Sequence, residues 1–348
     1  MQHYKSHATR NMLGGAALAI AVVASFAWLV GSWSVVSRSG GGLAAPPAAA
    51  STLANSPPPR IVALAPGLTE TLRRIGIGSK IVGRHGFDAW TDPTILVCGD
   101  QGGIDAEMLR RANPTHLYLQ WGDRQLPSSI KSIAADQHWI VRNFTLLSLD
   151  QIQAAAAAMY TDVRATCDTP SARAALGIDA ETFADSPVGK LWQSATAQLT
   201  GDAAAAFAGL GPIMLLYSDR EPVAAAGPGS YHHEILTRLG CRQAILTGAA
   251  YQVLDRETLR RTSPAIVVVL KPRKPVAVLT ATQTPNTALT EQPATNQPAT
   301  NQPALRRALG FDESALTRVV IIDDPLAFVP GLNLIDLVEE LKKKLLAP

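Results

Sequence analysis

"RIVALAPGLTETLRRIGIGSKIVGR" (Arg60–Arg84) is the stretch that decides the fold. Its apolar run Ile61–Ala65 has the length and composition of a strand, and it stops at Pro66-Gly67. A short basic helical pattern follows, ends at Gly76, and a new apolar run begins at Lys80. Strand, tight turn, helix, glycine stop and strand make a βα unit, the building block of a parallel sheet. One copy says little, but the chain carries a second.

Val223–Ala226 leads to Pro228-Gly229, then to SYHHEILTRL and Gly240, in the same order. Ser230 suits a helix N-cap and Gly240 a left-handed stop. A longer match joins IDAEMLRRANPTHLYL (Ile104–Leu119) to LDRETLRRTSPAIVVV (Leu254–Val269). Asp105 pairs with Asp255, Glu107 with Glu257, Leu109 with Leu259, Arg110 with Arg260, Arg111 with Arg261 and Pro114 with Pro264. Each pair is offset by 150. Agreement in one register along this stretch points to two related α/β lobes. Further strand candidates are Lys80–Gly83, His116–Gln120, Ile213–Tyr217, Ile266–Leu270 and Val319–Asp323. Their alternation with helical patterns favours mainly parallel sheets. Leu149–Met159 and Ala195–Leu210 are Ala-rich with few turn signals, and one long helix there would join the lobes.

The 348 residues suit two lobes of roughly 100–150 residues better than one ordinary domain. Hydrophobic residues make up 47% and aromatic residues 5%, so the cores are expected to be aliphatic. The net charge is +3 with the basic residues scattered, which offers no concentrated face for nucleic acid. Residues 12–36 carry no charge and would span about 30 Å of hydrocarbon as a helix. They are predicted to be a transmembrane signal-anchor, or an uncleaved signal, with residues 1–11 cytoplasmic. Lys5 and Arg10 precede the segment, which exports everything after it. The Ala-rich stretch Leu43–Ala50 is the alternative, a cleavage site. Residues 37–59 form a Gly/Ala/Pro linker. A first lobe is expected over 60–148, an inter-lobe helical region over 149–210 and a second lobe over 211–346. Within the second lobe, 280–302 is a low-complexity insertion with PATNQ twice in tandem. Cys98, Cys167 and Cys241 allow one disulfide at most and match no zinc spacing.

Five segments, taken in order, resemble the helical-backbone (class III) substrate-binding proteins of ABC importers. These relatives bind cobalamin, ferric siderophores or haem. The segments are Arg60–Arg84, GGIDAEMLRRANPTHLYL, GPGSYHHEILTRLGCRQAI, AYQVLDRETLRRTSPAIVVVL and RVVIIDDPLAFVPGLNLIDLVEEL. The uncharged segment 12–36 would make the protein single-pass and membrane-anchored, with its soluble part extracytoplasmic. That arrangement is atypical, because the relatives are usually free in the periplasm or lipid-anchored. The protein is expected to be a monomer. It would capture a metal-chelate ligand between the lobes and deliver it to an ABC permease. Permease docking falls to the motif-matched Glu107 and Glu257. The ligand-binding cleft would be lined by Pro66, Gly67, Leu68, His85, Phe87, Trp90, Trp121 and Arg124 from the first lobe. Tyr231, His232, Tyr251, Lys271 and Arg273 would line it from the second. Aromatic walls suit a large flat ligand, and the basic residues suit an anionic one. His85, His232, His233, Tyr231 and Tyr251 are the side chains able to ligate iron, although the adjacent His232 and His233 on a helix point apart.

No catalytic residue and no resident cofactor or metal site is predicted. The chain has no G-x-S-x-G, P-loop or H-E-x-x-H pattern. A chelatase on the same scaffold is the enzymatic alternative. The other alternative is a membrane-anchored cell-envelope interaction or sensor protein that does not transport.

Overall fold

Ile61–Leu64 forms the central strand β1, with all four residues buried. The computed structural model describes residues 58–100, 103–122, 124–200, 204–218, 223–271, 302–311 and 317–347. The predicted anchor over 12–36, Arg273 and most of the 280–302 insertion lie outside the described residues, as does the linker up to residue 57. Among the described residues no helix is long and apolar enough to cross a membrane.

After β1 the backbone is extended at Ala65, and Pro66 opens helix α1 (Pro66–Arg74), where its missing N–H costs nothing. Gly76 ends the unit at φ 87°, a left-handed conformation that favours glycine. Strand β2 (Ile81–His85) then pairs parallel to β1. The lobe continues with β3 (Leu96–Asp100), β4 (Gly103–Ile104), α2 (Ala106–Ala112), β5 (His116–Leu119), α3 (Ser128–Asp136) and β6 (Ile140–Asn143). The sheet order is β4-β3-β2-β1-β5-β6, parallel except where β4 turns back on β3. Val62, Leu64, Leu117 and Leu119 pack on one face against Leu109 and Ala112 of α2 and Ile130 and Ala134 of α3.

The passage to the second sheet corrects the expectation of one long helix. Helix α4 (Leu149–Ala165) runs 17 residues behind a full Ser148/Gln151 capping box. It is followed by α5 (Pro170–Ala175), α6 (Pro187–Ala197), a 3₁₀ turn and α7 (Ala204–Ala208). Pro170 and Pro187 each stand in a first turn, so each restarts the chain in a new direction.

The second lobe comprises β7 (Pro212–Leu216), β8 (Val223–Ala226), α8 (Tyr231–Arg238), β9 (Arg242–Gln243), β10 (Tyr251–Leu254), α9 (Arg256–Thr262), β11 (Ile266–Lys271), α10 (Gln302–Ala308), β12 (Arg318–Asp323) and α11 (Leu334–Leu346). Its sheet order is β10-β8-β7-β11-β12, with β9 also beside β7. The 150-residue repeat is visible in three dimensions. Asp105 caps α2 and Asp255 caps α9, each carboxylate accepting first-turn backbone N–H groups. Both helices end on a left-handed residue, Asn113 at φ 43° and Ser263 at φ 44°. Proline and a strand parallel to the central one follow in both lobes.

The other half of the repeat is corrected. Val223–Ala226 is not the counterpart of β1, because β8 runs antiparallel to β7. Only a short connection separates β7 from β8, and a parallel neighbour needs a crossover of a dozen residues or more. The counterpart of β1 is β7. The counterpart of β2 is split, since β9 pairs parallel with Pro212–Ile213 while β8 pairs at Leu216.

One core runs through both lobes. It joins Ile61, Leu68 and Leu72 to Ile152, Met159 and Val163 of α4, then to Ile213, Leu215 and Val268, and to Leu337 and Leu341 of α11. Polar links reinforce it. Arg74 of α1 donates to Asp336 of α11 and, at 3.0 Å, to Glu70. The Leu149 N–H donates to Glu234 Oε2 at 2.8 Å, and Arg238 pairs with Asp150 at 3.2 Å.

Candidate functional site

The start of α1 meets the second lobe directly. A Cβ on Gly67 would overlap the Pro330 carbonyl oxygen, and one on Gly331 would stand 2.9 Å from the Gly67 oxygen. Glycine at both positions lets the 324–333 loop close onto the helix start. Pro66 is half-buried, and Gly67 and Leu68 are buried, so this turn is a contact between lobes. Asp324 Oδ1 accepts the Leu326 N–H at 2.8 Å, which makes Asp323-Asp324 the start of a turn.

Behind that loop stands an aromatic cluster. Tyr217, at the carboxyl end of β7, packs its ring 5.1 Å from His232, 5.5 Å from Tyr251 and 5.5 Å from Phe328. Its hydroxyl hydrogen-bonds His232 Nδ1 at 2.8 Å, and His232 Nε2 hydrogen-bonds the Ala327 carbonyl at 2.8 Å. Because the carbonyl can only accept, the proton sits on Nε2 and the tyrosine donates to Nδ1. Tyr231 donates to the Phe328 carbonyl at 2.9 Å. His232 has no exposed surface and Tyr231 almost none, so the structure places both in the core, with their polar atoms satisfied. Burial drives the His232 imidazolium pKa down to about 3 and raises the Tyr217 and Tyr231 phenols well above their ordinary value. A neutral imidazole and protonated phenols in these hydrogen bonds are positioning groups for the loop. Tyr251, at the start of β10, and Phe328 are half-buried and are the members of this group that retain surface.

The first lobe contributes a separate loop after β2. His85 Nδ1 accepts the Phe87 N–H at 3.1 Å, and the two rings lie 5.3 Å apart. Phe87 is 42% exposed. Burial lowers the His85 pKa against the opposing pull of Asp100. The loop is fixed by Asp88, a buried carboxylate that accepts the Trp90 and Thr91 N–H groups and, at 2.6 Å, the Thr91 hydroxyl. Trp90 turns toward a 440 Å³ cavity shared with Arg73 and Ile81. Trp121 follows β5, and Asn143 staples it by accepting its N–H at 2.8 Å and donating to the Gly122 carbonyl at 2.6 Å. Arg124 borders a larger cavity of 910 Å³ on the α3 side of that loop. Lys271 ends β11 in register with Asp323 of β12.

The structure therefore brings His85 and Phe87 together on one loop, and Tyr231, His232 and Tyr251 together in another place. Tyr217, Phe328, Asp88 and Asn143 escaped the sequence reading. Tyr217 had a usable signal, since it ends a strand of a parallel pair. Phe328 lies in an irregular loop with no periodicity to mark it.

Glu107 and Glu257 are exposed in the first turns of α2 and α9, two residues after their capping aspartates. Carboxylates there interact favourably with the helix dipole. Cys98, Cys167 and Cys241 are all free and buried. Among the described residues no group of three or more His, Cys, Asp or Glu could hold a metal.

No family model and no curated protein sequence matches the chain. Solved structures do. The periplasmic heme-binding protein HutB of Vibrio cholerae is 16% identical with a TM-score of 0.57, over 83% of this chain and 99% of that one. The periplasmic heme-binding protein RhuT from Roseiflexus sp. RS-1 is 15% identical with a TM-score of 0.54, over 83% and 98%. The periplasmic vitamin B12 binding protein BtuF of Vibrio cholerae is 14% identical with a TM-score of 0.52, over 82% and 96%. At such identities the likeness is one of fold. The chain has the two-lobed α/β fold of the class III periplasmic haem- and B12-binding proteins.

Proposed function

We propose that this chain is an extracytoplasmic solute-binding protein, tethered by its N-terminal segment, that captures a metal-chelate ligand and hands it to an ABC permease. The observation that carries the reading is the twin pair Glu107 and Glu257. Each is exposed on the first turn of an Asp-capped helix, in equivalent places on two related lobes. Paired anionic knobs suit a two-fold symmetric partner and give electrostatic registration. Heme- and vitamin B12-binding proteins of the same fold support the ligand class. His85, Phe87, Trp121, Arg124, Tyr251 and Lys271 are the contact residues this reading retains. Tyr231 and His232 act behind Tyr251, holding the loop that seats α1.

A panel of cobalamin, cobinamide, haem and ferric siderophores, read by thermal shift, tests the proposal. A ligand at about 100 times its Kd stabilises the fold by about 2.7 kcal/mol. The Glu107→Ala, Glu257→Ala double variant is expected to keep that shift and to lose ligand uptake in cells. Uptake at the unaltered rate would remove the docking role.

The internal satisfaction of Tyr231 and His232 favours a second reading, an anchored envelope interaction or sensor protein on the same fold without transport. Silence across the whole panel is its expected outcome.

A further inference from the structure

Helix α8 of the second lobe is tied toward the first lobe at two places. Its first turn holds the loop that seats α1, since Tyr231 donates to the Phe328 carbonyl and His232 to the Ala327 carbonyl. Farther along, it reaches the head of α4, the helix by which the chain leaves the first lobe. Glu234 Oε2 accepts the Leu149 N–H at 2.8 Å, and Arg238 pairs with both Glu234 and Asp150. Glu234 and Arg238 stand one helical turn apart on α8.

The capping of α4 shows what this grip adds. Within the helix's own box, the Ser148 hydroxyl accepts the Gln151 N–H, and Gln151 Oε1 accepts the Leu147 and Ser148 N–H groups. The Leu149 N–H falls outside the box, and its acceptor comes from the other lobe, 85 residues along the chain. A carboxylate there meets the positive end of the helix dipole through a charge-assisted bond. Farther along α4 the first lobe takes hold instead. Asp162 accepts from Arg142 of β6 with both oxygens, at 3.0 and 2.8 Å. One helix is therefore held by the second lobe at its head and by the first lobe along its length. Burial of the common core keeps the lobes together but has no direction, whereas these bonds constrain angles as well as distances.

We infer that Glu234 and Arg238 form a latch through which the second lobe fixes its angle to the first, acting on the head of α4. With the latch closed, α2 and α9 keep one separation, and Glu107 and Glu257 with them. That this separation serves permease docking rests on the reading proposed above. The latch itself does not.

Double electron–electron resonance on the full chain tests this with no ligand added. Nitroxides go on the exposed repeat partners, as Arg111→Cys and Arg261→Cys, while the three native cysteines are buried. The chain with its latch intact should give one narrow distance distribution. Glu234→Ala should broaden it by about twofold or more, as lobes released to several angles would. Glu234→Gln still offers an oxygen to the Leu149 N–H and should broaden it less. Val163→Ala shortens a buried side chain of α4 away from the latch, so it should lower the urea midpoint and leave the distribution narrow. Arg238→Gln with Asp150→Asn opens the charged part from half-buried and exposed positions, and carries the test where Glu234→Ala does not fold. An unbroadened distribution in the folded latch variants, or equal broadening by Val163→Ala, would overturn the inference. Broadening in a chain whose Glu107→Ala, Glu257→Ala variant still takes up ligand would remove the docking role and leave the latch standing.

Discussion

His232 is a residue whose neighbours decide its role. With both ring nitrogens engaged and no exposed surface, it can be protonated readily only when the chain unfolds. Its folded pKa of about 3 lies below the ordinary 6.5, so the unfolded state binds more protons between those values. The stabilisation is complete above pH 6.5 and is lost as pH falls toward 3. Each pH unit in that window costs about 1.4 kcal/mol. From pH 7 to pH 5 the loss attributable to His232 is about 2 kcal/mol. His116 and His85 are also lowered by burial and add to the total slope. Subtraction isolates His232: in urea denaturation, the stability gap between the parent and His232→Gln should narrow by about 2 kcal/mol over that range. A constant gap would mean the imidazole is not held neutral.

Helices α2 and α9 are twins at the scale of the element, and their ends differ in one informative way. Both stop on a left-handed residue, asparagine in one and serine in the other. Asparagine tolerates that conformation, whereas serine bears more of the roughly 1–2 kcal/mol penalty of a Cβ there. The Ser263 hydroxyl offsets part of this by donating to the Arg260 carbonyl at 2.9 Å. Ser263→Gly should therefore raise stability by about 0.5 kcal/mol, and Asn113→Gly by less. Shifts in the urea midpoint would measure both, and a loss with Ser263→Gly would show that its hydroxyl outweighs the strain. The twin helices were legible because Asp-x-Glu, the Leu-Arg-Arg run and the proline after it recur in one register. Strand β8 was not legible in the same way. Its Val-Ala-Ala-Ala run has no period that distinguishes a parallel from an antiparallel partner, and the short connection before it decided the matter.

For the whole molecule, the lobes are fastened rather than hinged by a thin linker. Helices α4 and α11 share one apolar core with both sheets, and Gly67 and Gly331 allow backbone contact across the boundary. The Arg74–Asp336 pair is exposed enough to add less than about 1 kcal/mol, so packing carries the connection. Scanning calorimetry of the described part should show one cooperative transition, with calorimetric and van't Hoff enthalpies in agreement. Two resolved transitions would show that the lobes unfold separately and that the common core binds them weakly.

The sequence by itself determined the βα rhythm, the repeat at an offset of 150 and the capped helices that expose Glu107 and Glu257. All of these follow from interactions within a few residues, or from counting along the chain. Only the tertiary structure decided that Tyr231 and His232 belong to the interior, that Tyr217 and Phe328 complete their cluster, and that Gly67 faces Pro330. Those outcomes depend on residues far apart in the chain meeting at one place. A cleft position and a core position following a strand look the same in one dimension, and burial, which separates them, is a property of the packed chain.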